Sequence, residues 1–186
     1  MMQPQESAPP GASPPGAKPP GAAPSFPAMP RAKRDCGDFE IRIDRNGGWH
    51  YRNSPIGRKE LVCLFASVLK REGDGSYWLE TPVERGRIEV EDAPFVAVEM
   101  RREGEGSAAK LAFRLNTGDL VVAGPEHALR FEPDGDALRP YLHVRAGLEA
   151  LVARSVYYEL AELALEVDGE PGLWSDGAFF PLPAQS

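Results

Sequence analysis

Between Tyr77 and Arg145, no more than about ten residues pass without a glycine, proline or asparagine, too few for a helix of three or four turns. That punctuation separates short strands. Apolar and β-branched residues gather at Tyr77–Glu80, Arg87–Val90, Phe95–Arg101, Lys110–Leu115, Asp119–Ala123, Ala128–Glu132 and Tyr141–Arg145. The turns between them include Glu103-Gly104-Glu105-Gly106, Asn116-Thr117-Gly118, Gly124-Pro125 and Pro133-Asp134-Gly135. Closely spaced strands of this kind make a meander or a small barrel.

The flanks read differently. Phe39–Asp44 alternates apolar and polar residues, Asn46-Gly47-Gly48 turns, and Trp49–Tyr51 returns. Ser54 offers an N-cap and Pro55 a first helical position. Leu61, Leu64, Phe65, Val68 and Leu69 then follow at helical spacing, so a helix is expected over Pro55–Arg71, with Val62 and Cys63 widening its apolar face. A second, long helix is expected over Gly147–Val167, on the stripe Leu148, Val152, Val156, Leu160 and Leu163. Leu173-Trp174 and Ala178-Phe179-Phe180 form a last hairpin around Ser175-Asp176-Gly177.

The two helices share a beginning. Gly57–Val62 (GRKELV) aligns with Gly147–Val152 (GLEALV) at an offset of 90 residues. Each expected helix ends in a glycine-acid turn and an aromatic strand. Chance would suffice for the hexapeptide alone, but the shared order of elements favours duplication. The expectation is an α+β fold of two similar domains with a repeated helix-turn-strand unit. The second domain would resemble a pleckstrin-homology-like barrel capped by a long helix. The boundaries read as a tail over 1–34, an N-terminal domain over 35–82 and a C-terminal domain over 83–186.

The tail is set apart by composition. Ten of the 19 prolines fall in the first 30 residues, in the stutter PPGAS-PPGAK-PPGAA. Such a segment has little to bury and cannot offset its ordering entropy, so a disordered, partly polyproline-II tail is expected. Its net charge of +3 leaves −10 for the remainder of a chain whose total is −7. A body that acidic repels nucleic acid and anionic membrane in bulk. The two cysteines, Cys36 and Cys63, form no disulfide or metal pattern. No apolar signal region begins the chain, and Leu61–Leu69 is too short to span a bilayer. The reading is a soluble cytoplasmic protein without metal or cofactor.

Motifs for catalysis are absent. Gly104–Ala109 (GEGSAA) fits a relaxed dinucleotide pattern but lies between strands with no helix after it, so it reads as a hairpin loop. His50, His127 and His143 are scattered, and His143 on its strand reads as structural. Glu84, Glu89, Glu91 and Asp92 gather around one strand, as a solvated face or as paired carboxylates for hydrolysis. The more suggestive set is cationic and aromatic. Arg139, Tyr141, His143 and Arg145 have period-2 spacing and share a strand face, with Arg154, Tyr157 and Tyr158 following. Guanidinium forks suit phosphate, and tyrosines stack on a base; neighbours such as Glu149 and Glu159 could instead cover that face. Arg58, Asn116 and Thr117 raise the same alternatives, ligand contacts or a helix start and a hairpin turn. The expected ligand set is therefore Arg58, Asn116, Thr117, Arg139, Tyr141, Arg145, Arg154 and Tyr158.

Four long segments carry a family resemblance: GGWHYRNSPIGRKELVCLFASVL, YWLETPVERGRIEVEDAPFVAVE, LNTGDLVVAGPEHALRF and RPYLHVRAGLEALVARSVYYELAELA. Together they resemble the bacterial domain-of-unknown-function 1285 family, over about Gly47 to Phe180. Asn53 stands where members often carry Gly, and Ala128 where Pro is usual. The resemblance implies a duplicated two-domain α+β fold with a superficially pleckstrin-homology-like second domain. It implies no established activity, only ligand binding at the domain interface, of a nucleotide-like molecule, in signalling. The leading expectation is accordingly a non-catalytic ligand-binding or signalling protein. The alternatives are a protein-interaction adaptor recruiting a partner through its Pro-rich tail, and a hydrolase using Glu84 or Glu91.

Overall fold

The computed structural model describes residues 33–135 and 137–183. The tail expected over residues 1–34 lies outside them, save its last two residues, which belong to the folded part. The Arg34 amide donates to the Val83 carbonyl at 2.9 Å, and Lys33 pairs with Glu80. With Lys70 also 2.6 Å away, two ammonium groups hold the Glu80 carboxyl down at about 2.

The first sheet comprises β1 (Arg34–Ile43), β2 (Trp49–Tyr51), β3 (Ser54–Pro55), β4 (Leu69–Arg71), β5 (Tyr77–Glu80) and β6 (Glu84–Val90), in the order β3-β2-β1-β6-β5-β4. Helix α1 (Lys59–Ser67) lies between β3 and β4 in sequence. The second sheet comprises β7 (Phe95–Glu103), β8 (Lys110–Leu115), β9 (Leu120–Val122), β10 (Leu129–Asp134), β11 (Ala137–Arg145) and β12 (Leu148–Val152), in the order β10-β11-β12-β7-β8-β9. Read from the other side, that is the first order with every strand number raised by six. Each sheet is two antiparallel meanders joined by one parallel pair, β1 with β6 and β7 with β12. Helix α2 (Arg154–Ala161) and a three-stranded sheet of β13 (Leu165–Val167), β14 (Glu170–Ser175) and β15 (Ala178–Pro181) complete the chain.

The fold is therefore mostly β, with two similar six-stranded sheets. Alternation explains the core: Ile41, Ile43, Leu69, Leu79 and Ile88 point inward from the first sheet, and Phe95, Phe113, Leu142, Leu148 and Ala150 from the second. Both sets, with Val156 and Leu160 of α2 and Leu173 and Phe180 of the last sheet, belong to one contiguous buried cluster. The last sheet is fastened by the fully buried Ser175. Its Oγ donates to the Ala123 carbonyl at 2.7 Å and accepts from the Leu111 amide at 2.8 Å.

Three expectations are corrected. The first helix spans Lys59–Ser67, not Pro55–Arg71. Arg52 and Asn53 both hold positive φ and form a two-residue hairpin turn, so Ser54-Pro55 pairs with β2 instead of capping a helix. A proline is tolerated there because β3 is an edge strand. The long helix over Gly147–Val167 is in fact β12, α2 and β13. Ala146 and Gly147, at φ 44° and 75°, make the same kind of turn, and Leu148, Ala150 and Val152 then bury on alternate positions. The helix in that stretch is thus eight residues long and packs against β7. Because GLEALV is a strand, its alignment with the helix start GRKELV fails; the repeated unit visible here is the sheet. The GEGSAA segment is a hairpin loop, as expected, with a 3-10 turn at Gly106–Ala108.

Candidate functional site

A concavity lies against the first sheet, beside α1. It encloses about 620 Å³. Ile41 and Leu79 form its buried floor, and Phe39, Ile56, Leu61, Phe65 and Val68 its half-buried apolar walls. Asp38, Glu40, Glu84, Tyr51 and Thr81 stand around it.

Local backbone geometry opens this groove. Strand β1 loses register with β6 twice, between Asp35 and Asp38 and again between Asp38 and Arg42. Gly37 and Glu40 sit in the left-handed region there, at φ 74° and 54°. Such bulges bend a strand away from its partner. Phe39, between them, lies across Gly86: a Cβ on that glycine would meet the ring at 2.4 Å. The absence of a side chain at 86 is what seats Phe39. On the opposite wall, Phe65 stacks on the buried Trp49 at 6.0 Å between ring centroids.

Helix α1 faces the second sheet as well. The Arg145 guanidinium donates to the Ala66 carbonyl at 2.7 Å, satisfying one of the carbonyls that a helix C-terminus leaves open. The Cys63 thiol donates to the Thr117 carbonyl at 3.3 Å. The element that walls the groove is therefore bolted to β11 and to the β8–β9 turn.

The residues expected to hold a ligand separate into groups. Asn116 and Thr117 do lie where the sheets meet. The Asn116 side chain donates to the Gly47 carbonyl and accepts from the Val96 amide, both at 3.2 Å. Arg139 and Tyr141 both reach Asp92, in the link between the sheets. The tyrosine hydroxyl donates to Oδ1 at 2.9 Å, and the guanidinium lies 2.9 Å from Oδ2 as an ion pair. Burial, and then the Asp92 carboxylate, push the Tyr141 phenol up to about 12. Arg130 stacks over the same ring at 4.2 Å and clasps Glu149 with two hydrogen bonds, at 2.6 and 2.7 Å. Arg145 caps α1. Arg58 is exposed before α1, and Arg154 bonds Tyr158 at 2.9 Å on the exposed side of α2. The structure thus brings Asn116, Thr117 and Arg145 to the joint between the sheets, with Arg139 and Tyr141 on its linker, each engaged by protein groups.

His127 and His143 each place Nδ1 near a backbone carbonyl, at 3.1 and 2.9 Å, so both protons are held structurally. Glu84 opens β6 and Glu91 follows its last residue, about 20 Å apart at strand rise. Among the described residues no cluster of His, Cys, Asp and Glu could hold a metal, and no helix is long and apolar enough to cross a membrane.

Two family models together span residues 30–182. "Domain of unknown function (DUF1285), N-terminal domain" matches residues 30–93, and "Protein of unknown function (DUF1285), C-terminal domain" matches residues 94–182. The chain belongs to the DUF1285 family. The two matches meet in the Asp92–Pro94 link, so each takes one six-stranded sheet, and the groove lies in the N-terminal DUF1285 domain. A crystal structure of a DUF1285 family protein from Silicibacter pomeroyi DSS-3 is similar at 46% identity and TM-score 0.77, over 81% of this chain and 83% of that one. A second, from Shewanella baltica OS155, shares 30% identity at TM-score 0.52, over 66% of this chain and 90% of that one. Among curated proteins nothing matches.

The groove was missed by sequence reasoning. Leu61 and Phe65 have the spacing of core residues, and periodicity does not distinguish a covered wall from an uncovered one.

Proposed function

We propose that this protein is a non-catalytic, cytoplasmic ligand-binding protein of a signalling type, whose ligand is a small, largely apolar molecule held in the groove beside α1. The observation that carries this reading is the double role of α1. Leu61 and Phe65 wall the groove, while Arg145 and Thr117 of the second domain hold the helix through Ala66 and Cys63. A ligand that shifts α1 would act on both fastenings at once, and occupancy of the first domain would be read at the second. The volume is in the range of small-molecule sites.

Decanol, titrated below its solubility limit and followed by calorimetry, tests the reading. Wild-type protein should bind it saturably, and Leu61→Asn should weaken binding about tenfold or more by placing an amide in the apolar wall. A ligand at a hundredfold excess over its Kd adds about 2.7 kcal/mol of stability, so the melting curve should rise in step. Absence of saturable binding contradicts the proposal.

A nucleotide-like ligand between the domains is the second reading. It is favoured by a recess of about 340 Å³ lined by Arg71, Glu72, Gly73, Gly75, Ala146 and Gly147. Phosphate would have to draw Arg139 from Asp92 and Arg145 from Ala66. ATP, GTP and cyclic nucleotides that leave the melting curve unmoved would remove it. An adaptor role on a pleckstrin-homology-like second domain would use its exposed edge, where Leu120 is 71% exposed on β9. Pull-downs with and without residues 1–32 would show whether the Pro-rich segment recruits the partner.

A further inference from the structure

We infer that the groove selects a cationic amphiphile, an aliphatic chain ending in an ammonium or amidinium group, over neutral and anionic ligands of the same length. The inference rests on the groove reading above and adds the chemistry of its mouth. Asp38, Glu40 and Glu84 are all exposed at the groove. Glu40 is engaged by Arg52 at 2.6 Å. Asp38 and Glu84 make no ion pair among the described residues. The Asp38 carboxylate accepts only the Glu40 amide, at 2.6 Å, and Glu84 has the Cys36 thiol at 3.7 Å. Of the nearby cations, Arg85 is spent on Glu72 at 2.7 Å and Asp35 at 3.5 Å, while Arg34 and Arg87, the register partners of Glu84 and Asp38, do not line the groove. An apolar trough therefore carries three carboxylates and, among the described residues, no lysine or arginine in its lining, so a ligand that fills it places its end group in their field.

The same geometry argues against a peptide added as a strand. The edge of β1 beside the groove pairs with β2 only from Ile41 onward. The amides of Gly37 and Glu40 are turned onto the Asp35 and Asp38 carboxylates, at 2.9 and 2.6 Å, and both residues are left-handed. That edge offers few donors and an irregular register, so strand addition finds no ladder. A ligand that needs no backbone hydrogen bonds fits better.

Decylammonium, decanol and decanoate, each below its micellar concentration, are titrated into the full chain by calorimetry at low salt. Decylammonium should bind about tenfold tighter than decanoate, with decanol between them. The double variant Asp38→Asn/Glu84→Gln should lose most of that preference while binding decanol as wild type does. Glu103→Gln/Glu105→Gln removes the same charge from the distant β7–β8 loop and should keep the preference, which separates a local field from the acidity of the whole chain. Equal affinity for decylammonium and decanoate, or a preference that survives Asp38→Asn/Glu84→Gln, overturns this inference and leaves the groove intact. Failure of all three ligands to bind overturns the groove reading itself.

Discussion

Ala146 holds φ at 44°, a left-handed conformation in which its Cβ crowds the following carbonyl. It is the first residue of the two-residue turn that converts the expected helix start at Gly147 into a hairpin. Asparagine tolerates that conformation, and Asn-Gly is the favoured pair for such turns. Ala146→Asn should therefore stabilise the protein by about 1 kcal/mol, measured as a rise in urea midpoint at constant m-value. Tyr141 is the corresponding polar case. Its phenol is held protonated by burial and by Asp92, so the stability it contributes is complete below its ordinary value near pH 10 and is lost as pH rises toward about 12. Tyr141→Phe should cost about 1 kcal/mol at neutral pH by removing a donor from Asp92. It should also flatten the alkaline loss between pH 10 and 12, seen as a shrinking gap between the two unfolding curves over that window. A gap that widens over that window would contradict the assignment.

Helix α1 is short, its Arg58 cap position offers no side-chain hydrogen bond, and its last carbonyls accept from the Val68 amide and the Arg145 guanidinium. Nine residues are too few to be helical on propensity alone, so packing and the Arg145 contact must hold it. Arg145→Ala should destabilise the protein by about 1–2 kcal/mol, since it strips the donor from Ala66 and the cation from the Phe95 ring 5.3 Å away. Amides of α1 should exchange with solvent faster in the variant than in wild type, while those of β8 keep their rates; uniform acceleration would mean that the contact does not act on the helix. At this scale the sequence was partly legible. Strands with clean alternation and glycine-proline boundaries, such as Tyr77–Glu80 and Lys110–Leu115, lie where they were expected. The errors cluster where a two-residue turn uses residues other than Asn-Gly: Arg52-Asn53 and Ala146-Gly147 both gave segments that also carry helical spacing. LEALV satisfies either period, and only the turn before it decides.

The whole molecule repeats one strand order twice, and that repetition could not be found by aligning hexapeptides, because strand pairing leaves no local sequence record. Arginines and tyrosines marked by sequence for a ligand proved to be spread over the joint, its linker and the surface of α2. Groups of the same chain engage several of them: Asp92 holds Arg139 and Tyr141, and the Ala66 carbonyl holds Arg145. An apolar groove stays open in the first domain, walled by the helix that the second domain holds. The proposed function depends on coupling between that groove and the joint. Amide hydrogen exchange of the full chain, with and without saturating decanol, tests it most directly. The prediction is slowed exchange in Lys59–Ser67 together with the β8–β9 turn at Asn116–Gly118. Protection confined to the groove walls with the turn unchanged, or none at α1, would contradict it.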